Sequence, residues 1–172
     1  PTRRSSDLYT LFLKRSSPFG TVLGGIPGAL PVIIGYSSIQ PELSIGYLDI
    51  IVLFLFMMVW QPPHFWALAQ HFLDDYEKGG FPTMPIVYGQ EFTNYLILIY
   101  SLALLPISLY FWIVGICSNF YAIMAIVLGL SFLYLVFLSF KEKKNYKRVF
   151  LFSILYMLLI NIFISVDIIF IN

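Results

Sequence analysis

Charge is scarce in this sequence and cysteine nearly absent, and each shortage closes off a class of protein. Only 11% of the residues are charged, against roughly 25% in an ordinary soluble domain. A water-facing surface of usual character cannot be drawn around such a chain. The single cysteine, Cys117, cannot form an internal disulfide or a thiolate metal cluster, which leaves it the role of a small apolar packing residue. The two histidines, His64 and His71, have no spacing that suits a zinc centre. There is no Walker loop, dinucleotide fingerprint, Ser-His-Asp order or nucleic-acid module, and a nucleic-acid partner is excluded.

What the chain has instead is apolar surface. It is 59% hydrophobic over 172 residues, with a mean hydropathy of +0.85. A core of this size cannot hide that much apolar area, so the bilayer is its solvent. The pattern predicts an all-α integral membrane fold with about five spans, near residues 19–39, 47–69, 94–116, 120–140 and 149–170, each meeting the need for about 20 apolar residues. Aromatics make up 19%. They suit interfacial belts and the walls of a cavity for a large flat or isoprenoid ligand. The stretch from His71 to Thr93 reads as a long polar loop, and Lys141–Arg148 as a short basic one.

Orientation follows from the ten basic residues. Arg3, Arg4, Lys14, Arg15, Lys78, Lys141, Lys143, Lys144, Lys147 and Arg148 all fall on one side when the spans alternate. The positive-inside rule makes that side cytoplasmic and leaves the C-terminus outside, with Asp167 near the outer interface. The 71–93 loop therefore faces the compartment that holds phosphorylated metabolites, and the expected location is a multi-pass cell (inner) membrane.

Three clusters could carry chemistry. Trp60, His64, Leu68, His71 and Asp75 step by three or four residues and read as one helical stripe, polar toward its end. Pro62 and Pro63 free carbonyls one turn earlier and should kink the helix there. His64 is then either a ligand contact or a satisfied histidine at a kink. Asp74, Asp75 and Glu77 with Lys78 form an acidic cluster, suited to Mg²⁺ held through a substrate diphosphate or simply a solvated charge run. Lys14-Arg15 is either a phosphate clamp or a topology-setting pair. Gly20, Gly24 and Gly28 recur every four residues, a small-residue stripe whose ordinary meaning is close helix packing. The Lys141–Arg148 run reads as topogenic, aided by anionic lipid.

Several segments resemble the UbiA-type intramembrane prenyltransferases, and within them the haem-farnesylating branch. Tyr9-Thr10 with Leu13-Lys14-Arg15 is similar to the family's YTxxLKR entry. Gly24-Gly25, Gly28-Ala29 and Pro31 resemble GGxxGAxPP, with Val32 in place of the second proline. Trp60-Gln61, Pro63-His64-Phe65 and Leu68-Ala69 are similar to WQxPHFxxLA. Asp75-Tyr76, Gly80, Pro82 and Pro85 resemble DYxxAGxPMLPV, Gly79 standing for its alanine and Met84 for its leucine. The resemblance runs from Tyr9 onward.

It implies a nine-helix fold around a lipid-open cavity, of which this chain is the C-terminal part, lacking the first four helices and the family's NxxxDxxxD motif. It implies farnesyl transfer from farnesyl diphosphate to haem B, giving haem O, with Mg²⁺ as cofactor, and leads us to expect no activity from this stretch alone. Under it Asp75, with Asp74 in support, is assigned to the metal, and Asp75, Asp74 and Tyr76 to the catalytic centre. Lys14, Arg15 and Lys78 become diphosphate clamps, and His64, His71, Trp60 and Gln61 the haem contacts or cavity wall. Two rivals stay open: a related prenyltransferase acting on an aromatic quinone precursor, and a non-enzymatic transporter or scaffold.

The first eight residues, Pro1–Leu8, are what CCT ACA CGA CGC TCT TCC GAT CT encodes, one frame of a common sequencing adapter. They are no signal peptide, since no apolar stretch follows the arginines directly. The expectation is that the native sequence starts near Tyr9 and that residues 9–172 form one domain. Reading the source DNA across this junction should show adapter sequence; a start codon just upstream would defeat the expectation.

Overall fold

A computed structural model describes residues 18–37, 46–142 and 144–170, and every regular element among them is helical. Seven helices follow in order: α1 (Gly20–Ser37), α2 (Tyr47–His71), α3 (Leu73–Lys78), α4 (Met84–Tyr88), α5 (Gln90–Ile113), α6 (Asn119–Glu142) and α7 (Tyr146–Phe170). The five long helices match the five spans read from the sequence. Four of them, α2, α5, α6 and α7, are long and apolar enough to cross a membrane, and α1 is shorter. Helix is the obligatory choice here, because hydrocarbon offers no partner for an unpaired backbone N–H or C=O.

The packing centres on α2, which lies against α1, α5 and α7, while α6 bridges α5 and α7. Helices α2, α5, α6 and α7 thus close a ring, with α1 on the flank of α2. Phe56, Leu104, Phe111, Tyr121, Phe132 and Tyr156 fill the ring's interior and are nearly inaccessible. Phe132 stacks on Tyr156 with ring centroids 5.5 Å apart. The opposite faces carry Leu102, Ile123, Val127, Leu130, Leu151 and Leu158, all exposed. That is the arrangement of helices that meet lipid on one face and each other on the rest.

Several polar side chains inside the bundle fasten helices together. Ser153 of α7 receives two bonds from α2: its carbonyl accepts from Trp60 Nε1 at 2.7 Å, and its hydroxyl pairs with His64 Nδ1 at 2.7 Å. The same hydroxyl donates to the Phe150 carbonyl at 2.6 Å. A serine hydroxyl has one proton to give, so His64 Nδ1 must be the protonated nitrogen and the donor. The imidazole is further stacked against Trp60 and against Phe150, each at 4.6 Å.

At the end away from the 71–93 segment, two carboxylates tie helix starts. Asp49 accepts from the Gly46 backbone N–H at 2.7 Å and from the Tyr110 hydroxyl at 2.9 Å. Asp167, fully buried, accepts from the Ser118 N–H at 3.2 Å and its hydroxyl at 2.8 Å, just before α6. Both sit where a helix's unpaired N–H groups favour negative charge. Cys117 is buried beside them. Burial and the Asp167 charge push its thiol up to about 12, which keeps it protonated and supports the packing role.

Two sequence expectations are corrected. The 71–93 segment is not a plain loop, since α3 and α4 fold within it, separated by a turn at Gly80 whose φ of 66° suits glycine. The Trp60-to-Asp75 stripe is not continuous: the backbone leaves helical geometry at Phe72 (φ −106°, ψ 34°), so α2's register is not carried to Asp75. Helix α2 runs through Pro62 and Pro63, which are packed in its buried face.

Replacing Ser153 by alanine leaves the His64 N–H buried without an acceptor. The expected loss is about 1–2 kcal/mol, read from the unfolding midpoint in detergent, with Ser153→Thr close to wild type. An unchanged midpoint for Ser153→Ala would refute the clamp.

Candidate functional site

Helix α3 stands between two cavities at one end of the bundle. The first, of about 540 Å³, is polar and is lined by Gln70, His71, Asp74, Asp75, Lys78, Gln90, Asn145, Tyr146 and Lys147, with Phe72 and Leu73. The second, of about 460 Å³, is mainly apolar. Its walls include Gly20, Gly24 and Gly28 of α1, Gln61, Phe65, Trp66, Leu68 and Ala69 of α2, and Tyr76, Phe81 and Met84 beyond it. One turn of helix makes the division: Asp74, Asp75 and Lys78 turn to the polar side, and Tyr76 to the apolar side.

The glycine stripe gives the apolar cavity its wall. A Cβ on Gly28 would meet the Gln61 amide, 2.5 Å from Oε1, and that amide donates to the Gly25 carbonyl across the α1–α2 contact at 3.2 Å. Close packing and cavity lining, the two readings of the stripe, therefore coincide. Beneath the polar cavity runs a buried chain of amides and a phenol. Gln70 Nε2 donates to Asn94 Oδ1 at 3.1 Å and to the Gln90 carbonyl at 3.0 Å. Asn94 Nδ2 donates in turn to the Tyr146 hydroxyl at 3.0 Å. The chain joins α2, α5 and α7.

The residues singled out from sequence are thus sorted rather than gathered. Asp74, Asp75, Lys78 and His71 share the polar cavity, while Gln61 and Tyr76 line the apolar one. Trp60 and His64 line neither and lie in the α2–α7 contact, His64 being only 9% exposed. Lys14 and Arg15 fall outside the described residues. Asn145, Tyr146 and Lys147 went unread as site residues because their basic run already had an explanation in topology. The available signal was alternation, which puts the run at the same end as Asp75.

Among the described residues no three His, Cys, Asp or Glu side chains come together to hold a metal ion. The donor set offered is the carboxylate pair Asp74 and Asp75, both exposed to the polar cavity. A pair of hard oxygen donors and nothing more fits an ion whose remaining ligands are phosphate oxygens and water, the habit of Mg²⁺, and does not fit zinc.

A bundle of apolar helices with a charged cavity and an apolar one at the same end defines a multi-pass membrane protein. The UbiA prenyltransferase family matches residues 8–163, and the chain belongs to that family. It is 46% identical over 153 residues to the protoheme IX farnesyltransferase of Geotalea uraniireducens, covering 89% of this chain and 58% of that protein. It is 42% identical over 151 residues to the enzyme of the same name from Aquifex aeolicus, with 87% and 51% covered. The Rickettsia bellii enzyme of that name is 44% identical over 156 residues, with 89% and 51% covered. The chain spans a little over half the length of these relatives. No solved structure matches it.

Proposed function

We propose that this chain is the C-terminal part of a haem farnesyltransferase, which joins the farnesyl group of farnesyl diphosphate to a vinyl group of haem B and yields haem O. The observation that carries the reading is the paired cavity across α3. An allylic diphosphate has a strongly charged head and a long apolar tail, and α3 offers Asp74, Asp75 and Lys78 on one face and an apolar, glycine-walled space on the other. The names borne by relatives at 42–46% identity support haem as the acceptor over a quinone precursor.

The chemical problem is to break the allylic C–O bond beside lipid. The diphosphate leaves with the bonding electrons, and the vinyl carbon attacks the farnesyl C1. Water then adds to the porphyrin-conjugated cation and loses a proton, giving the hydroxyethylfarnesyl side chain. Lys78 opposes the leaving group's charge, and Lys14 and Arg15 are assigned the same task. Asp75, with Asp74 beside it, would hold Mg²⁺ through the diphosphate; the bound ion supplies charge neutralisation to the departing group. Tyr76, on the apolar face, turns an aromatic ring toward the space assigned to the farnesyl chain, where cationic carbon is favoured by a ring face. His71, at the polar cavity, remains the histidine nearest the charged head. The basic loops mark the cavity end as cytoplasmic, with the C-terminus outside, in a cell inner membrane.

The test is to express these residues with and without the coding sequence that precedes them at their locus. Haem B, farnesyl diphosphate and Mg²⁺ are supplied, and haem O is sought by mass spectrometry. Haem O is expected from the longer form alone; none from a well-inserted longer form would move the reading to another acceptor. In that longer form, Asp75→Ala should lower turnover at least about 100-fold with insertion intact, and normal turnover would defeat the metal assignment. His64 is held in the α2–α7 contact, so His64→Ala should lower stability and leave haem affinity unchanged in a spectral titration. A clear loss of affinity would restore it as a haem contact.

A further inference from the structure

The connection between α6 and α7 does more than set topology. We infer that Lys147 is a binding residue for the diphosphate head, opposite Asp74, Asp75 and Lys78; the inference rests on the diphosphate reading above.

Its basis is placement. Lys141, Lys144, Lys147 and Arg148 are all exposed, yet of these four only Lys147 lines the polar cavity. Topology needs basic residues somewhere in the loop and has no use for one of them facing Asp75. The position is also built. Asn145 adopts a left-handed backbone, φ 66°, which reverses the chain into α7, and its side-chain amide donates to Glu142 Oε2 at 3.0 Å. Tyr146 is then drawn inward to accept from Asn94, and Asn94 in turn accepts from Gln70. Gln70 immediately precedes His71 and the start of α3. The buried chain therefore fixes the residue before Lys147 relative to the residue before His71, and so holds the two walls of the cavity at a set separation.

Charge supplies the chemical reason. Asp74 and Asp75 repel a diphosphate, and Lys78 cancels only one of their two charges. With Lys147 the four side chains sum to zero, so the diphosphate meets no residual negative wall. Both lysines line the polar cavity, where a lysine serves phosphate oxygens as a point-charge donor.

The experiment uses the longer form of the protein, with its upstream coding sequence. Lys147→Gln, Lys147→Arg and Lys144→Gln are compared by varying farnesyl diphosphate at fixed haem B, and by inhibition with inorganic pyrophosphate and Mg²⁺. Lys147→Gln should raise both KM for farnesyl diphosphate and the pyrophosphate inhibition constant about tenfold, leaving KM for haem unchanged. Lys147→Arg should recover most of the loss, and Lys144→Gln should stay within about twofold of wild type. Lys147→Gln behaving like Lys144→Gln would overturn the inference and leave the farnesyltransferase reading standing. Wild-type protein that neither turns over nor responds to pyrophosphate would overturn both.

Discussion

Hydrocarbon supplies no hydrogen-bond partner, and almost every feature of this molecule follows from that one fact. Backbone groups must be satisfied within each segment, which makes the spans helices. Several buried side-chain polar groups find partners on a neighbouring helix and so become ties between helices. His64 and Trp60 fasten α2 to α7 at Ser153, Gln61 fastens α2 to α1 at Gly25, and Tyr121 fastens α6 to the Ser108 carbonyl of α5 at 2.6 Å. Each such bond is worth only about 0.6–2 kcal/mol in a membrane. An unpaired group costs more, and that difference makes the pattern specific.

The same constraint sorts the carboxylates. Those at the end away from the cavities, Asp49 and Asp167, are buried and bonded to N–H and hydroxyl donors near helix starts. They are structural acids whose charge is absorbed by the fold. Asp74 and Asp75, by contrast, are exposed in the polar cavity, which they share with Lys78.

The fold was legible in the sequence because it rests on length and hydropathy, quantities a single sequence contains. All five spans stand where apolar runs of helical length stand. The candidate site was legible only in part. Asp75 and Lys78 could be picked out because charge beside a membrane is rare. Their separation from Tyr76 depends on the local helix α3, six residues long, too short for any periodicity to declare. The continuous stripe from Trp60 failed at Phe72, where the backbone leaves helical geometry with no proline or glycine to signal it. His64 was ambiguous because one imidazole serves equally as ligand or strut; only the serine opposite it, 89 residues away in sequence, distinguishes the two positions.

The polar cavity is walled by three separate stretches of chain: the end of α2 with α3, the start of α5, and the start of α7. Synthesis delivers them in that order, N-terminal parts first. Asp74 and Asp75 leave the ribosome early, but the Tyr146 phenol that secures the far wall is made only with α7. A nascent chain stalled before α7 could hold its earlier helices in the bilayer and still lack Tyr146 and Lys147, and with them one wall of the cavity. The polar cavity is therefore set by the order of synthesis as well as by packing: its carboxylate wall exists before the wall it faces.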